Sequence, residues 1–239
     1  MSARAIQASR QRLEKDLAGD PDLSSLLDRF DRWAPDLWDG LADVYDAHTV
    51  LPQIIDVISR IHKNRSKALR HRDSQRILQP DWFQDPNAIG YVFYTDLFAN
   101  DLQGIRNKIN YLKELGVTYL HLMPLLKPRP GNSDGGYAVM DYKSIRPDLG
   151  NMKDLESLAA DLHDAGISLT LDLVLNHVAK EHEWAERARA GEAKYLDYFY
   201  TFSDRKVPDE YEKSLPEIFP TFAPGNFTHY KDMNRWVWT

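Results

Sequence analysis

Through the first third of the chain, apolar residues recur every three or four positions: Leu23, Leu26, Leu27, Phe30 and Trp33, then Leu37, Leu41, Val44 and Tyr45, then Ile54, Ile58 and Ile61. That spacing predicts amphipathic helices. Asp20 before Pro21 reads as an N-cap followed by a proline at the first helical position, and Pro35 and Pro52 mark further breaks or starts. An all-helical N-terminal domain over residues 1–86 accounts for the pattern.

After Asp85-Pro86-Asn87 the period changes. Ile89 to Tyr94 (IGYVFY) is short, β-branched and aromatic, as a strand requires. Leu102, Ile105, Ile109, Leu112 and Leu115 return to helical spacing and stop at Gly116, after which Val117 to Met123 (VTYLHLM) reads as a second strand. Leu155, Leu158 and Leu162 repeat the helix, Gly166 closes it, and Ile167 to Leu175 (ISLTLDLVL) forms a third strand of a buried parallel sheet. Alternating strands and helices suit a doubly wound sheet or the beginning of a β/α barrel. Thr95 to Asn100 cannot cradle a pyrophosphate as a glycine-rich turn would, and a long loop from Leu125 to about Asp148 follows the second strand. The barrel is favoured.

Two short stretches carry candidate chemistry. On a strand, Asp172, Val174 and Asn176 share one face and Leu171, Leu173 and Leu175 the other, so Asp172 is an acid set inside an apolar strand. Burying it is costly unless it is hydrogen-bonded or paired with a cation, so a partner such as an arginine is expected nearby. A lone aspartate of this kind is ordinarily a structural ion pair. Asn176 and His177 at the carboxyl end of the strand, where barrels collect functional groups, shift the balance towards a site. In the long loop, Asp134-Gly135-Gly136-Tyr137 supplies two glycines that allow positive φ and an aromatic ring able to stack on a sugar, although by itself it is an ordinary glycine turn.

The remaining composition narrows the classes. Thirty basic against 36 acidic side chains leave a formal charge of -6, with no broad positive field for nucleic acid. There is no cysteine, which excludes disulfides and thiolate metal sites. The charged start MSARAIQASRQRLEKD lacks the apolar run of a secretory signal, and no stretch approaches the ~20 apolar residues of a membrane span, so a cytoplasmic protein without membrane insertion is expected.

Asp172, Asn176 and His177 fill the pattern D-x-x-x-N-H, and with it the chain resembles the α-amylase superfamily, glycoside hydrolase family 13. The flanks HLMPLLKPRPGNSDGGYAVMDY and ISLTLDLVLNHVAKEHEWA, with PDWFQ at Pro80 to Gln84 and RWVWT at the end, are similar to the amylosucrases within it. The resemblance covers most of the chain. It implies an α/β fold: a helical N-terminal domain, the first three β/α units of an incomplete (β/α)8 TIM barrel over 87–178, and the start of an inserted B-type loop domain over 179–239.

It further implies a retaining glucosyltransferase that takes glucose from sucrose, releases fructose and extends an α-1,4-glucan, with sucrose and an α-glucan acceptor as its sugar partners and no cofactor. The alternatives are a related sucrose or α-glucan hydrolase and a non-catalytic relic. Asp134 would close the pocket through a salt bridge to a late-chain arginine, Tyr137 would be the stacking platform, and His177 would bond the glucosyl hydroxyls. Asp172 and Asn176 would brace the site. The nucleophile and general acid are expected on later strands, beyond Thr239, which makes the chain a fragment with no catalytic residue of its own, and the open parallel edge and the two tryptophans at a frayed terminus agree with that.

Three further features take plainer readings. His177, Glu181 and His182 lack zincin spacing, so no metal is expected. The basic run from His62 through Lys63, Arg65, Lys67, Arg70, His71 and Arg72 to Arg76 reads as a solvated helix, and Tyr195, Tyr198, Phe199, Tyr200 and Phe202 as the core of the inserted domain.

Overall fold

The computed structural model describes residues 2–239 except 219, 222 and 223. It divides into two compact units, Met1–Trp82 and Phe83–Thr239.

The first unit consists of α1 (Ser2–Asp16), α2 (Leu23–Ala42), α3 (Ala47–Asn64) and α4 (Lys67–Leu78). Leu13, Leu27, Phe30, Trp38, Leu51 and Ile55 form its buried core. Contrary to the expected breaks, Pro35 and Pro52 lie inside α2 and α3. A proline deprives the carbonyl four residues earlier of its donor, but Pro35, Asp31, Pro52 and His48 are all exposed, so water can supply it. Asp20 does not cap α2; its carboxylate accepts the backbone N–H of Asp22 instead. Trp33, Val44, Tyr45 and Ile61, counted among the apolar stripes, are more than half exposed.

The basic run is largely spent inside this unit rather than solvated. Arg70 donates to Asp20 at 2.8 Å and Asp22 at 2.9 Å, Arg65 pairs with Asp73, Arg76 stacks over Trp82, and His62 is buried against Asp20. Donation by Arg70 drives the Asp20 carboxyl well below the usual range, with the Asp22 N–H adding to it against the opposing effect of burial.

The second unit opens with β1 (Gly90–Phe93), followed by the short helices α5 (Thr95–Ala99), α6 (Leu102–Asn107) and α7 (Ile109–Glu114). The helix expected from Leu102 to Leu115 is thus in two pieces, parted at Lys108. Then come β2 (Tyr119–Leu122), β3 (Leu126–Pro128), β4 (Val139–Ile145), α8 (Met152–Asp164) and β5 (Ser168–Leu171). Strands β1, β2 and β5 form a parallel sheet in that order, with Val92, His121 and Thr170 in register. The long loop holds an antiparallel β3–β4 hairpin rather than irregular chain.

Two helix ends share one physical solution. Gly116 and Gly166 take positive φ, and each helix closes with paired bonds, Gly116 to Lys113 with Val117 to Leu112, and Gly166 to His163 with Ile167 to Leu162. The apolar pairs Leu112/Val117 and Leu162/Ile167 are all buried in the core that also takes Leu120 and Leu122.

The sheet is parallel as expected but covered on one face only. Tyr91, Phe93, Leu120, Leu122 and Leu169 meet the helices; the opposite face carries Gly90, Val92, Tyr119, His121, Ser168 and Thr170, with Val92 57% exposed. Strand β5 also stops at Leu171. Leu171, Leu173 and Leu175 lie exposed rather than inside a buried strand, while Val174 is buried.

The rest comprises α9 (Glu183–Arg189), α10 (Ala193–Leu196), β6 (Thr201–Phe202), α11 (Lys206–Glu212), β7 (Phe227–Tyr230) and β8 (Arg235–Trp238). The expected frayed end is instead the middle strand of an antiparallel sheet ordered β6-β8-β7. The aromatic residues from Tyr195 to Phe202 are not a buried core: Tyr198 is 48% and Tyr200 69% exposed, and Tyr198 meets Tyr195 and Trp184 edge to face. No described helix is long and apolar enough to cross a membrane.

Two predictions follow from these contacts. A Cβ at Gly104 would lie 1.8 Å from the Ala99 carbonyl oxygen, so Gly104→Ala forces α5 from α6. We expect it to lower the urea stability of the second unit by about 3 kcal/mol. For Asp20, a folded carboxyl that titrates below its unfolded value contributes stability fully present above the ordinary aspartate range and lost as pH falls below about 4. Thermal melts in acid should therefore lose less stability on acidification in Asp20→Asn than in the unaltered chain.

Candidate sugar-binding site

The site is assembled at the carboxyl ends of β2 and β5. Asp172 follows β5 by one residue, on the face that no helix covers, and its backbone N–H reaches the Leu122 carbonyl at 3.4 Å. Its partner is not an arginine. One carboxylate oxygen lies 2.9 Å from Nε2 of His121 and the other accepts the Tyr137 hydroxyl at 2.8 Å. Two neutral-capable donors suffice because the side chain is only partly buried, 24% exposed.

Tyr137 is carried by the turn between β3 and β4. Asp134 to Gly136 make one 3₁₀ turn in which Asp134 and Gly135 both have positive φ, and the Tyr137 N–H returns to the Asp134 carbonyl at 3.1 Å. Gly135 is required by proximity as well as by backbone: a Cβ there would stand 2.7 Å from the Tyr94 hydroxyl. Burial first, then donation to Asp172, pushes the Tyr137 phenol up to about 12, so at neutral pH it is a donor.

His177 closes the wall. Its Nε2 is 3.1 Å from the Tyr137 carbonyl and its Nδ1 2.9 Å from the Asn176 amide nitrogen. A carbonyl only accepts, so in that contact the proton is on Nε2. Both nitrogens are engaged, so bonding a ligand hydroxyl requires His177 to exchange one of these bonds.

The segment from Asp172 to Ala179 is not a strand, and the hairpin supplies backbone partners to it. Tyr142 donates to the Val174 carbonyl, and the Ala179 N–H to the Val139 carbonyl at 2.8 Å. His182 is buried, caps α9 through the Trp184 N–H and packs against the Tyr142 and Trp184 rings; burial lowers its pKa. Glu181 pairs with Arg129 at 3.1 Å.

Tyr137, Asp172, Asn176 and His177 are thus joined in one hydrogen-bonded set. Asp134 belongs to it by its backbone; its exposed carboxylate has no ion-pair partner among the described residues. Sequence reasoning missed His121, Tyr142 and Tyr94. His121 carried a readable signal, a polar residue alternating with Leu120 and Leu122 in an apolar strand, as Asp172 does beyond β5.

A family model described as "Alpha amylase, catalytic domain" matches residues 77–239. The chain belongs to the alpha-amylase family. Among similar members, an alpha-glucosidase of Schizosaccharomyces pombe is 32% identical over 168 residues, 67% of this chain and 27% of that protein. A trehalose synthase of Pimelobacter is 31% identical over 156 residues, 65% of this chain and 25% of that protein. Among solved structures, a mutant trehalose-6-phosphate hydrolase of Bacillus licheniformis superposes with TM-score 0.55 at 30% identity, over 66% of this chain and 28% of that one. A trehalulose synthase mutant does so with TM-score 0.54 at 26% identity, over 64% and 28%. The chain spans about a quarter of the length of these curated relatives. Its three parallel strands and their helices are part of the family's barrel.

The geometry predicts the cost of breaking the set. Tyr137→Phe leaves one oxygen of Asp172 without its donor, and with that carboxylate partly solvated, urea unfolding of the second unit should lose about 1 kcal/mol. An unchanged midpoint would contradict the bond.

Proposed function

We propose that this wall seats the glucosyl unit of sucrose in an amylosucrase-type transfer, which releases fructose and extends an α-1,4-glucan with retention of configuration. The observation that carries the reading is the Tyr137 ring, held by Asp172 beside His177 at the carboxyl ends of parallel barrel strands. A fixed aromatic face suits the apolar face of a pyranose, and the flanking donors suit its hydroxyls. The similarity of DGGYAV and DLVLNH with their flanks to the amylosucrases supports sucrose as donor, and a structural neighbour, MutB, is described in complex with the substrate sucrose.

In this reading Tyr137 stacks, His177 bonds glucosyl hydroxyls, and Asp134 closes the pocket through an arginine from later in the full enzyme. Asp172 and Asn176 brace without reacting. Retention requires a carboxylate nucleophile and a carboxylic acid about 5 Å apart. Both oxygens of Asp172 are committed to donors, so it is neither; the pair belongs to the barrel strands after the three present here.

Hydrolysis is the rival, favoured by the alpha-glucosidase and oligo-1,6-glucosidase relatives. Transfer and hydrolysis differ in how well acceptor sites exclude water. The 239-residue chain alone should release no fructose from sucrose. Joined in frame to the coding sequence downstream, it should release fructose in molar excess over glucose. Equal amounts would mean hydrolysis, and fructose from the 239-residue chain would refute the placement of nucleophile and acid.

A further inference from the structure

A carboxylate held through one oxygen can turn about its last bond; held through both, it cannot. Asp172 is held through both, and the two donors come from different parts of the unit. Tyr137 sits on a hairpin turn containing positive-φ residues, whereas His121 lies on β2, the central strand of the parallel sheet, with Val92 and Thr170 in register on either side. His121 is the more rigidly mounted of the two donors. Its side chain is one-third exposed, on the sheet face without helices, so core packing does not account for it. Tyr119, two residues earlier on the same face, lies against Gly90 and makes no such bond to Asp172.

We propose that His121 is a positioning residue of the site: by donating from Nε2 to one oxygen of Asp172 it presents the other to the Tyr137 hydroxyl, and so fixes the Tyr137 ring relative to the sheet. The order of support runs from the sheet to the ring and on to His177, whose Nε2 proton meets the Tyr137 carbonyl. The sugar-binding consequence rests on the reading of Tyr137 as a stacking platform; the positioning does not.

The test uses the full chain labelled at histidine ring nitrogens and tyrosine ring carbons, observed by NMR at neutral pH. In the unaltered chain Nε2 of His121 should carry a proton, and the Tyr137 ring signals should be displaced from free-tyrosine values by the bond to Asp172. His121→Leu should move them towards free-tyrosine values, and His121→Gln, whose amide can donate to the same oxygen, should restore them. Asp172→Asn provides a second route to the same loss if the leucine variant does not fold. An unprotonated Nε2 in the unaltered chain, or ring signals unchanged in both His121→Leu and Asp172→Asn, would overturn the proposal. Methyl α-glucoside then separates the two levels: His121→Leu should weaken its binding about tenfold and His121→Gln much less. No uptake by the unaltered chain, with the ring signals behaving as expected, would leave the positioning standing and remove the sugar platform.

Discussion

The second unit turns on one partly buried carboxylate. Asp172 stands just past the end of β5, where a charge within an apolar sheet is costly unless each oxygen finds a donor. It finds one on β2 and one on the β3–β4 turn, so the same two bonds that make the charge tolerable tie the hairpin to the sheet. The segment after Asp172 has no ladder of its own and borrows its hydrogen bonds from β4, through Tyr142 and Val139. The wall formed by Tyr137, Asp172 and His177 is therefore a consequence of how a short irregular stretch satisfies its polar groups.

The same constraint gives the wall its chemical character. A phenol whose hydroxyl is committed to a carboxylate offers its ring face to a ligand and keeps its proton at neutral pH. The His177 imidazole meets the Tyr137 carbonyl with one nitrogen and the Asn176 amide with the other. Tyr137, Asp172, Asn176 and His177 are all engaged by hydrogen bonds and hold no free acid–base pair among them; the placing of the reacting carboxyl groups on later barrel strands is part of the proposal. Membership of that family comes from the catalytic-domain match over residues 77–239; sucrose as donor is the proposal added to it.

What the sequence disclosed was local. Gly116 and Gly166 end helices because a positive φ is a property of one residue, and the change from period 3.6 to period 2 after Asn87 follows from backbone geometry alone. What it concealed depended on distant neighbours. Pro35 and Pro52 look like breaks until one knows that the carbonyls they deprive face water. Leu171, Leu173 and Leu175 look like a buried strand, but β5 stops at Leu171 and all three are exposed, and Trp236 and Trp238 look like a loose end until β8 is seen between β6 and β7. In the site, Asp134, Tyr137, Asp172, Asn176 and His177 were legible as two motifs, and Asp172 was seen to need a partner, but which residues supply it was not. His121 lies 51 residues away, and only the register of β2 with β5 brings it close.

A crystal of the 239-residue chain soaked with glucose tests the central claim most directly. The account predicts a pyranose ring lying flat on Tyr137, with a hydroxyl taking the place of the Asn176 amide on His177. Glucose seated elsewhere, such as on the exposed Trp184 and Tyr198 rings, with Tyr137 bare, would contradict it.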